Sequence, residues 1–325
     1  MMLNTQLPAQ QPSAIANADG EFAEAVIDGL SAKRKSLPCR FFYDARGSEL
    51  FEEITQLAEY YPTRAESSIL AEHAREMAAG IADGSVLIEF GSGSSRKTEM
   101  LLSALPRLRA YIPIDVSSTA LDEAKRRLQA RFPSLDVWPI VGDFSGPIEI
   151  RPDLATCPRT GFFPGSTIGN LGPSEAVDLL VHMRKTLATG GQLIIGVDLK
   201  KDPRTLVRAY NDERGMTAEF NLNLLARINR EIEPAFDLKG FRHRAIYDPV
   251  TGRIEMHLVS VKAQTVALLG RIFYFRAGET IHTENSYKYT VDEFQVLCRK
   301  AGWRANRVWT DSAALFSVHE MLSAA

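Results

Sequence analysis

The sequence predicts an α/β protein built on a parallel sheet, with a second, inserted domain of mixed α+β character. Between Ser85 and Asp198, short apolar runs alternate with helical stretches, which is typical of βαβ units. The first apolar run leads directly into a glycine turn, Gly91-Ser92-Gly93. After Asp198 this alternation is lost, so the chain is expected to leave the sheet there and return to it near Thr290.

The elements of the sheet domain follow from hydrophobic period and turn residues. Residues from about Phe22 to Ala79 are expected to be mainly helical, because Phe51, Ile54 and Leu57 recur at three-residue steps. Apolar runs predict five parallel strands, at Val86–Phe90, Ala110–Ile114, Val137–Val141, Thr160–Pro164 and Leu193–Val197. Helices are predicted between them, at Lys97–Leu105, Ser118–Phe132 and Pro173–Leu187.

The second half of the chain has a different pattern. Long helices are predicted over Pro203–Glu231, and a pair of strands over Ile254–Gln264 and Thr265–Phe275. A helix over Thr290–Gly302 and closing strands at Val308–Trp309 and Leu315–Leu322 complete the prediction. The expected domains are a disordered tail at residues 1–20, a substrate-binding domain at 21–64 plus 201–288, and a cofactor-binding domain at 65–200 plus 289–325.

Composition narrows the classes of partner. The 325 residues include 38 basic and 40 acidic side chains, and this balance lacks the basic excess of a nucleic-acid-binding protein. We therefore expect a small-molecule substrate, and neither nucleic acid nor a membrane as partner. Cys39, Cys157 and Cys298 show no metal-ligand spacing, so no metal is expected and the thiols are interpreted as structural. A cytoplasmic monomer is the expected state.

The first glycine loop indicates the class of cofactor. Gly91 and Gly93 allow close approach of the backbone to a ligand, but Arg96 stands where a dinucleotide fingerprint has its third glycine. Glu89, just before the turn, suits a cationic cofactor better than a polyphosphate, and Lys97 can pair with a carboxylate. A sulfonium amino acid has both features, which favours S-adenosylmethionine.

Acidic and aromatic residues follow the next two predicted strands. Asp115 can accept hydrogen bonds from both hydroxyls of a ribose. Asp143 can bind the amino group of adenine while the ring of Phe144 packs on the base. The alternative interpretation is that the glycines serve turns and the aspartates cap helices.

A second glycine loop follows the fourth predicted strand, from Gly165 to Asn170. The side chain of Asn170 can donate and accept hydrogen bonds, so it can hold the amine or carboxylate of an amino acid. Tyr43 and Asn170 are polar candidates for guiding an amine into an in-line methyl transfer. A strong general base is not required, because an α-amine with a reference pKa of about 8 is partly unprotonated near neutral pH. A turn asparagine that stabilises its own backbone is the alternative.

Several short blocks of the sequence occur together in one family of enzymes. The Tyr-Tyr-Pro-Thr-Arg block at 60–64 and the Gly-Ser-Thr-Ile-Gly-Asn block at 165–170 are specific, whereas the Gly-Ser-Gly loop is not. Further matching blocks are Phe42-Tyr43-Asp44-Ala45, Gly142-Asp143-Phe144, Arg208-Ala209-Tyr210, Ile254-Glu255-Met256 and Thr283-Glu284-Asn285-Ser286. Through these blocks the chain resembles the histidine-specific N-methyltransferase family of ergothioneine biosynthesis over nearly its whole length beyond the tail.

The resemblance implies a Rossmann-like class I methyltransferase sheet and an enzyme that methylates the α-amine of L-histidine three times, giving hercynine. It implies a cofactor site lined by Gly91, Gly93, Lys97, Asp115, Asp143 and Phe144. It implies that Tyr43, Gly165, Asn170 and Tyr210 hold the substrate's amine and carboxylate, and that Tyr60, Met256, Glu284 and Ser286 surround the imidazole.

Alternatives to this interpretation remain at several positions. Glu284 and Ser286 match the two ring nitrogens of imidazole, but a solvated loop would also explain them. Met256 is also explained by core packing, Tyr60 by packing between domains and Tyr210 by a surface helix. The alternative functions are an N-methyltransferase of another amino acid, such as a tryptophan derivative, a non-catalytic cofactor-binding homologue, and a nucleic-acid methyltransferase.

Overall fold

The structure is a computed structural model that describes residues 14–93, 95–105, 107–144 and 146–323. The helices are α1 (Ala14–Ser31), α2 (Ala45–Thr55), α3 (Tyr61–Ala79), α4 (Arg96–Leu102), α5 (Ser118–Arg131), α6 (Pro173–Leu187), α7 (Pro203–Ala209), α8 (Met216–Glu231) and α9 (Val291–Lys300). The strands are β1 (Val86–Phe90), β2 (Ala110–Asp115), β3 (Ile140–Val141), β4 (Arg159–Phe163), β5 (Gln192–Asp198), β6 (Phe241–Asp248), β7 (Arg253–Ser260), β8 (Gln264–Leu268), β9 (Arg271–Phe275), β10 (Thr280–Tyr287), β11 (Trp303–Thr310) and β12 (Phe316–Ser323).

A seven-stranded sheet has the order β11-β12-β5-β4-β1-β2-β3. Strands β1 to β5 run parallel, whereas β12 pairs antiparallel with β5 and with β11. The order reverses between β1 and β4, because β2 and β3 extend the sheet to one side of β1 and β4 and β5 to the other. The predicted α/β class with a mainly parallel sheet is confirmed, and such a reversal is where open sheets bind ligands.

The large sheet is covered by apolar cores on both faces. Every residue of β1 is buried, and its side chains alternate between the cores: Val86, Ile88 and Phe90 pack in one, and Leu87 in the other. Helix α3 packs into the second core through Ile69 and its neighbours. Burial on both faces explains why these strands have continuous rather than alternating hydrophobicity.

Most predicted elements of the sheet domain form within a few residues of their expected bounds, and α6 begins and ends as predicted. The predicted strand Val137–Val141 is shorter, because only Ile140 and Val141 form β3 and Val137 makes an isolated bridge to Tyr111. Pro139 lies between them and has no N–H to donate to a ladder.

The strand pair predicted over 254–275 is wrong. Strand β7 belongs to a three-stranded sheet of order β10-β7-β6, and the predicted strand Thr265–Phe275 is a hairpin of β8 and β9. Its turn is Leu269-Gly270, where both residues have positive φ, a conformation that favours a two-residue hairpin. Strand β10 contains Glu284, Asn285 and Ser286, so these residues do not form a solvated loop.

The chain folds into two compact units. Among the described residues, one unit comprises those up to Ser48 with Ala218–Arg244 and His257–Glu284, and the other comprises those of Glu49–Thr217, Ala245–Met256 and from Asn285 onward. The expected substrate-binding domain, 21–64 plus 201–288, includes residues 49–64, 201–217, 245–256 and 285–288, which lie in the second unit. Within that unit, for example, the Tyr61 hydroxyl donates to Asp198 at the end of β5.

Residues 1–13 of the tail expected at 1–20 lie outside the described residues, whereas helix α1 begins at Ala14. Among the helices of the described ranges, none combines the length and the apolar character required to span a bilayer.

Because His319 of β12 is buried, we expect the stability of the folded protein to depend on pH. Burial lowers its pKa from 6.5 to about 4, and its Nε2 lies 2.9 Å from the Ser317 Oγ. Between these two values the unfolded chain binds a proton that the folded protein excludes, so the free energy of unfolding falls as pH drops from 6.5 to 4. We expect His319→Gln to remove about 1–3 kcal/mol of this fall. Urea unfolding of both proteins at pH 7 and pH 4.5 measures it, and equal pH slopes would contradict the assignment.

Candidate active site

Two glycine loops lie beside each other at the edge of the large sheet. The first follows β1 and the second follows β4, and these strands pair in parallel register, with Glu89 opposite Phe162. Since neighbouring parallel strands end at the same edge, both loops emerge where the strand order reverses. The sequence placed the loops after the first and the fourth predicted strands, but only the sheet order makes them neighbours.

Backbone hydrogen bonds hold the first loop on β2. Gly91 has a φ of 71°, and the N–H groups of Gly91 and Ser92 donate to the Ile114 carbonyl oxygen at 2.9 and 3.0 Å. The Gly93 N–H donates to the Asp115 carboxylate at 2.8 Å. The other Asp115 oxygen accepts from the Ser117 N–H at 3.0 Å. Each oxygen of Asp115 keeps a lone pair for a ligand hydroxyl.

The ring of Phe144 lies against the first loop. A Cβ atom added to Gly91 would stand 3.2 Å from the Phe144 ring, a tight contact, and the positive φ of Gly91 also disfavours a side chain there. The same ring makes edge contacts with Phe163 and Phe90, at centroid distances of 5.5 and 6.3 Å. The Oγ of Ser92 is buried and has no hydrogen-bond partner within the described part of the chain. The apolar ring of Phe144 and the unpaired hydroxyl of Ser92 together fit a nucleoside. The side chain of Asp143, next to Phe144 in the chain, is exposed.

Glu89 of β1 lies just before the first loop and is buried. Its carboxyl group is fully buried and accepts a hydrogen bond from the Tyr111 hydroxyl, which lies 3.0 Å from the Ser95 Oγ. Burial raises the pKa of Glu89 to about 8. Within the protein, Glu89 is therefore connected to β2 through the Tyr111 hydroxyl.

Glu66 of α3 joins the two loops. Its buried carboxylate accepts hydrogen bonds from the Lys97 ammonium at 2.5 Å and from the Gly165 N–H at 2.9 Å. Lys97 belongs to the first turn of α4, directly after the first loop, and Gly165 begins the second loop. The Glu66 carboxylate also lies over Gly196 of β5, where a Cβ would approach it to 2.1 Å. Lys97 therefore has a partner within the protein, and an ammonium group keeps further N–H donors for a cofactor carboxylate.

The second loop is packed closely against its neighbours. Ser166 has a φ of 60°, and its Oγ accepts a hydrogen bond from the Asp198 N–H at 2.9 Å. A Cβ on Gly169 would lie 2.7 Å from the Tyr287 carbonyl oxygen, so only glycine fits there. Asn170 ends the short 3-10 turn Thr167–Asn170 and is half-buried.

A buried polar cluster follows β5 and centres on Asp198. The Tyr61 hydroxyl donates to the Asp198 carboxylate at 2.8 Å, and the ammonium groups of Lys201 and Lys288 lie 2.5 and 2.7 Å from its two oxygens. Burial opposes ionisation of Asp198, but the two lysines outweigh it and hold its pKa below the ordinary value. Burial also lowers the pKa of Lys201 to about 8, although Asp198 opposes that shift.

Two of the predicted substrate residues meet in this cluster. The hydroxyl groups of Tyr210 and Ser286 are 2.8 Å apart, and Lys288 donates to both. The Tyr60 ring meets the Tyr210 ring edge-on at a centroid distance of 6.2 Å. Tyr210 is therefore a buried residue at the end of α7 and not a surface helix residue.

The remaining predicted residues lie on strands or on the first unit. Met256 is buried in β7. Within the first unit, the ring of Tyr43 contacts Phe220 at a centroid distance of 5.8 Å. Glu284 is half-buried in β10, next to Thr283, whose hydroxyl donates to the Asn221 side chain at 2.7 Å.

Sequence reasoning missed Glu66, Asp198, Lys201 and Lys288. Asp198 had a usable signal, because an acidic residue at the end of a buried strand resembles Asp115, which was identified. Glu66 and Lys288 had none, since charged residues within a helix or next to a strand are ordinarily solvated. Across the residues that the structure describes, no group of three or more His, Cys, Asp or Glu side chains could hold a metal ion.

Comparison with known proteins identifies the family. A family model described as histidine-specific, S-adenosylmethionine-dependent methyltransferase matches residues 22–323. Histidine N-alpha-methyltransferases of Mycolicibacterium smegmatis and Mycobacterium tuberculosis are 42% and 40% identical, over 89% and 90% of this chain and 91% and 92% of theirs. The ergothioneine biosynthesis protein 1 of Neurospora crassa is 32% identical over 85% of this chain, which corresponds to 32% of its own length. The chain therefore belongs to the histidine-specific methyltransferase family and is an S-adenosylmethionine-dependent N-methyltransferase.

Proposed function

We propose that this enzyme transfers three methyl groups in succession from S-adenosylmethionine to the α-amine of L-histidine, giving hercynine for ergothioneine biosynthesis. The observation that carries the proposal is the pair of glycine loops at the strand reversal. On one side of it, β2 and β3 lead to Asp115 and Phe144. On the other side, β5 leads to the polar cluster around Asp198. A nucleoside and an amino acid need these two different surroundings.

The β2 side suits the cofactor, which supplies the methyl group as a sulfonium carbon. We propose that the free lone pairs of Asp115 accept the ribose hydroxyls and that Phe144 packs on the adenine, with Asp143 at its amino group. Gly91 and Gly93 let the backbone approach, and Lys97 shares its ammonium group between Glu66 and the cofactor carboxylate. Lys97 is near enough to Gly165 to do so beside the second loop, since its Nζ would lie 3.5 Å from a Cβ there.

The second loop and its neighbours suit the amino-acid group of the substrate. We propose that Asn170 and Tyr43 orient the α-amine, and that Gly165, Tyr60 and Tyr210 complete its surroundings. Orientation in a dry site is the main contribution that a methyl transfer requires. The nitrogen regains a lone pair by losing a proton after the first and second transfers, whereas the quaternary product has none. Three transfers are therefore the chemical end point.

The proposed imidazole contacts rest on the family resemblance together with strand geometry. Glu284 and Ser286 are alternate residues of β10, so their side chains point to the same face of that strand. Glu284 accepts the ring N–H, Ser286 complements the other nitrogen, and Met256 provides a polarizable apolar wall. A tryptophan derivative fits less well, because an indole ring has one N–H donor and no ring acceptor.

Product analysis tests the reaction. Purified enzyme with excess S-adenosylmethionine should convert L-histidine to a product heavier by three methyl groups, without loss of the ring N–H. Mass spectrometry across the twenty amino acids measures this, with tRNA and DNA as further acceptors. Product on tryptophan but not histidine would contradict the histidine assignment, a single methylation would contradict hercynine, and cofactor binding without turnover would indicate a non-catalytic homologue.

Glu284→Ala should weaken histidine binding far more than cofactor binding. Leaving an imidazole N–H unpaired in a buried site costs about 1–3 kcal/mol, or roughly fivefold to 150-fold in the dissociation constant. Calorimetry with each ligand measures the two effects. Equal losses for both ligands would show that Glu284 acts on folding and not on the substrate.

Asp115→Asn tests the proposed cofactor site in the way that Glu284→Ala tests the proposed substrate site. The amide retains one oxygen, which can serve only one of the Gly93 and Ser117 N–H groups, and it lacks the charge and the second acceptor, so we expect the KM for S-adenosylmethionine to rise about tenfold. The KM for histidine should change by less than about threefold. A larger effect on histidine than on S-adenosylmethionine would contradict the placement of Asp115 in the cofactor site.

A further inference from the structure

The carboxylate of Glu66 is buried between the two glycine loops. Its side chain is 1% exposed, and it accepts a hydrogen bond from the Lys97 ammonium group at 2.5 Å. The Gly165 N–H also donates to it, at 2.9 Å from each oxygen. Because protein atoms cover Glu66, a ligand does not contact it, and any effect of Glu66 on a ligand passes through Lys97 or Gly165.

The position of this carboxylate is fixed by a helix, a strand and a loop. Glu66 belongs to α3, and the neighbouring residues Ala65 and Ile69 of that helix pack in an apolar core of the large sheet. A Cβ on Gly196 of β5 would lie 2.1 Å from the Glu66 Oε1, so the carboxylate rests against the strand. The Gly165 N–H is a main-chain donor of the second loop. Glu66 is therefore a fixed anchor for the cation that pairs with it.

Lys97 has the opposite character. Its side chain is 21% exposed, and its rotatable bonds give an unpaired lysine many conformations. The hydrogen bond to Glu66 selects a conformation in which the Lys97 Nζ lies beside the second loop, 3.5 Å from the position of a Cβ on Gly165. The charge of Lys97 also acts on the buried Glu89, but the ammonium group donates to Glu66.

A lysine that is held in this way is prepared for an anion. A ligand carboxylate that pairs with a mobile lysine has to restrict the side chain, whereas Lys97 is already restricted. An ammonium group has three N–H donors, and the bond to Glu66 uses one of them. The negative charge of Glu66 opposes a second carboxylate, but Lys97 and the Gly165 N–H both donate to Glu66 and counter that repulsion.

We infer that Glu66 is a positioning residue for the cofactor: anchored on the second loop, it holds the Lys97 ammonium group where that group binds the carboxylate of S-adenosylmethionine. The inference rests on the proposed function, in which Lys97 takes this carboxylate. It goes further, because the preference of the site for a cofactor with a carboxylate then depends on a residue that contacts no ligand. Through Gly165, the same residue fixes the methionine part of the cofactor relative to the second loop.

The test compares Glu66→Gln with the wild-type full chain. The two probes are S-adenosylmethionine and its decarboxylated form, S-adenosyl-3-methylthiopropylamine, which share the nucleoside, the sulfonium and the amine and differ in the carboxylate. Glutamine keeps the size of the side chain but loses the charge that holds Lys97. Calorimetry without an amino acid should show about tenfold weaker binding of S-adenosylmethionine and a change of less than about twofold for the decarboxylated form.

Lys97→Met identifies the route of the effect. It removes the ammonium group itself and should lose the same preference for the carboxylate. The double variant Glu66→Gln/Lys97→Met should lose no more of this preference than Lys97→Met alone, because Glu66 acts through Lys97. Losses that add in the double variant would contradict the inference, since Glu66 would then act by another route.

Glu320→Gln is the matched control. Glu320 of β12 is also buried, at 2% exposure, and its carboxylate accepts hydrogen bonds from the side chains of Gln192 and Asn306. Gln192 is the first residue of β5, so this carboxylate lies toward the edge of the sheet opposite the glycine loops. The control should keep the wild-type preference. The inference is wrong if the control loses it, if Glu66→Gln weakens both probes equally, or if Glu66→Gln binds S-adenosylmethionine more tightly.

Glu66→Asp separates position from charge, and it serves as the test if Glu66→Gln does not fold. Aspartate keeps the carboxylate but withdraws it by one methylene group, so it cannot hold both Lys97 and the Gly165 N–H in their present places. The preference for S-adenosylmethionine over the decarboxylated form should fall at least about threefold. Full retention of the preference would show that charge alone is sufficient and would contradict a positioning role.

The same measurements distinguish the inference from the proposed function. If the wild type does not prefer S-adenosylmethionine, or if Lys97→Met retains the preference, the proposed role of Lys97 is wrong, and the inference with it. If Lys97→Met loses the preference and Glu66→Gln retains it, the inference alone is wrong. Failure of the wild-type enzyme to methylate histidine would overturn the proposed substrate, whereas the binding of the two probes is measured without it.

Discussion

The parallel pairing of β1 with β4 is the constraint on which the site depends. Each strand ends in a glycine loop, and the strand order reverses between them, so both loops emerge side by side at one edge of the sheet. Elements that continue from β1 supply Asp115 and Phe144, whereas those that continue from β4 supply the polar cluster of Asp198. One reversal thereby separates the side that carries Asp115 and the Phe144 ring from the side that carries the charged cluster.

Two buried carboxylates, of Glu66 and Asp198, fix the positions of the groups around the two loops. Glu66 ties Lys97 after the first loop to Gly165 of the second, and Asp198 gathers Tyr61, Lys201 and Lys288 behind the second loop. Burying such charges is unfavourable unless every one of them is paired. Their partners are therefore held in narrow ranges of position, which is the preorganisation that methyl transfer needs.

Glycines set how closely these parts approach. Gly91 leaves room for the Phe144 ring, Gly169 for the Tyr287 carbonyl, and Gly196 for the Glu66 carboxylate. In each case a side chain would displace a group of the site and not only fill space. Glycines therefore permit close contacts on both sides of the reversal, in the two loops and in β5.

Sequence by itself determined the α/β class, the order of most strands and helices, and the family, because hydrophobic period, turn residues and short motifs are local properties. It also selected Tyr210 and Ser286, through the blocks that match the family. It did not anticipate the hairpin of β8 and β9: Gly270 is a turn residue, but Leu269, the other residue of the turn, carries no turn signal.

Only the tertiary structure decided which charged residues are buried and what they hold. Glu66, Asp198 and Lys288 are ordinary charged residues in the sequence, and their importance arises from partners that are distant along the chain: Glu66 meets Gly165, and Lys288 meets Asp198 and Tyr210. Such pairings depend on the order of strands in the sheet and on burial, and a short stretch of sequence determines neither of them.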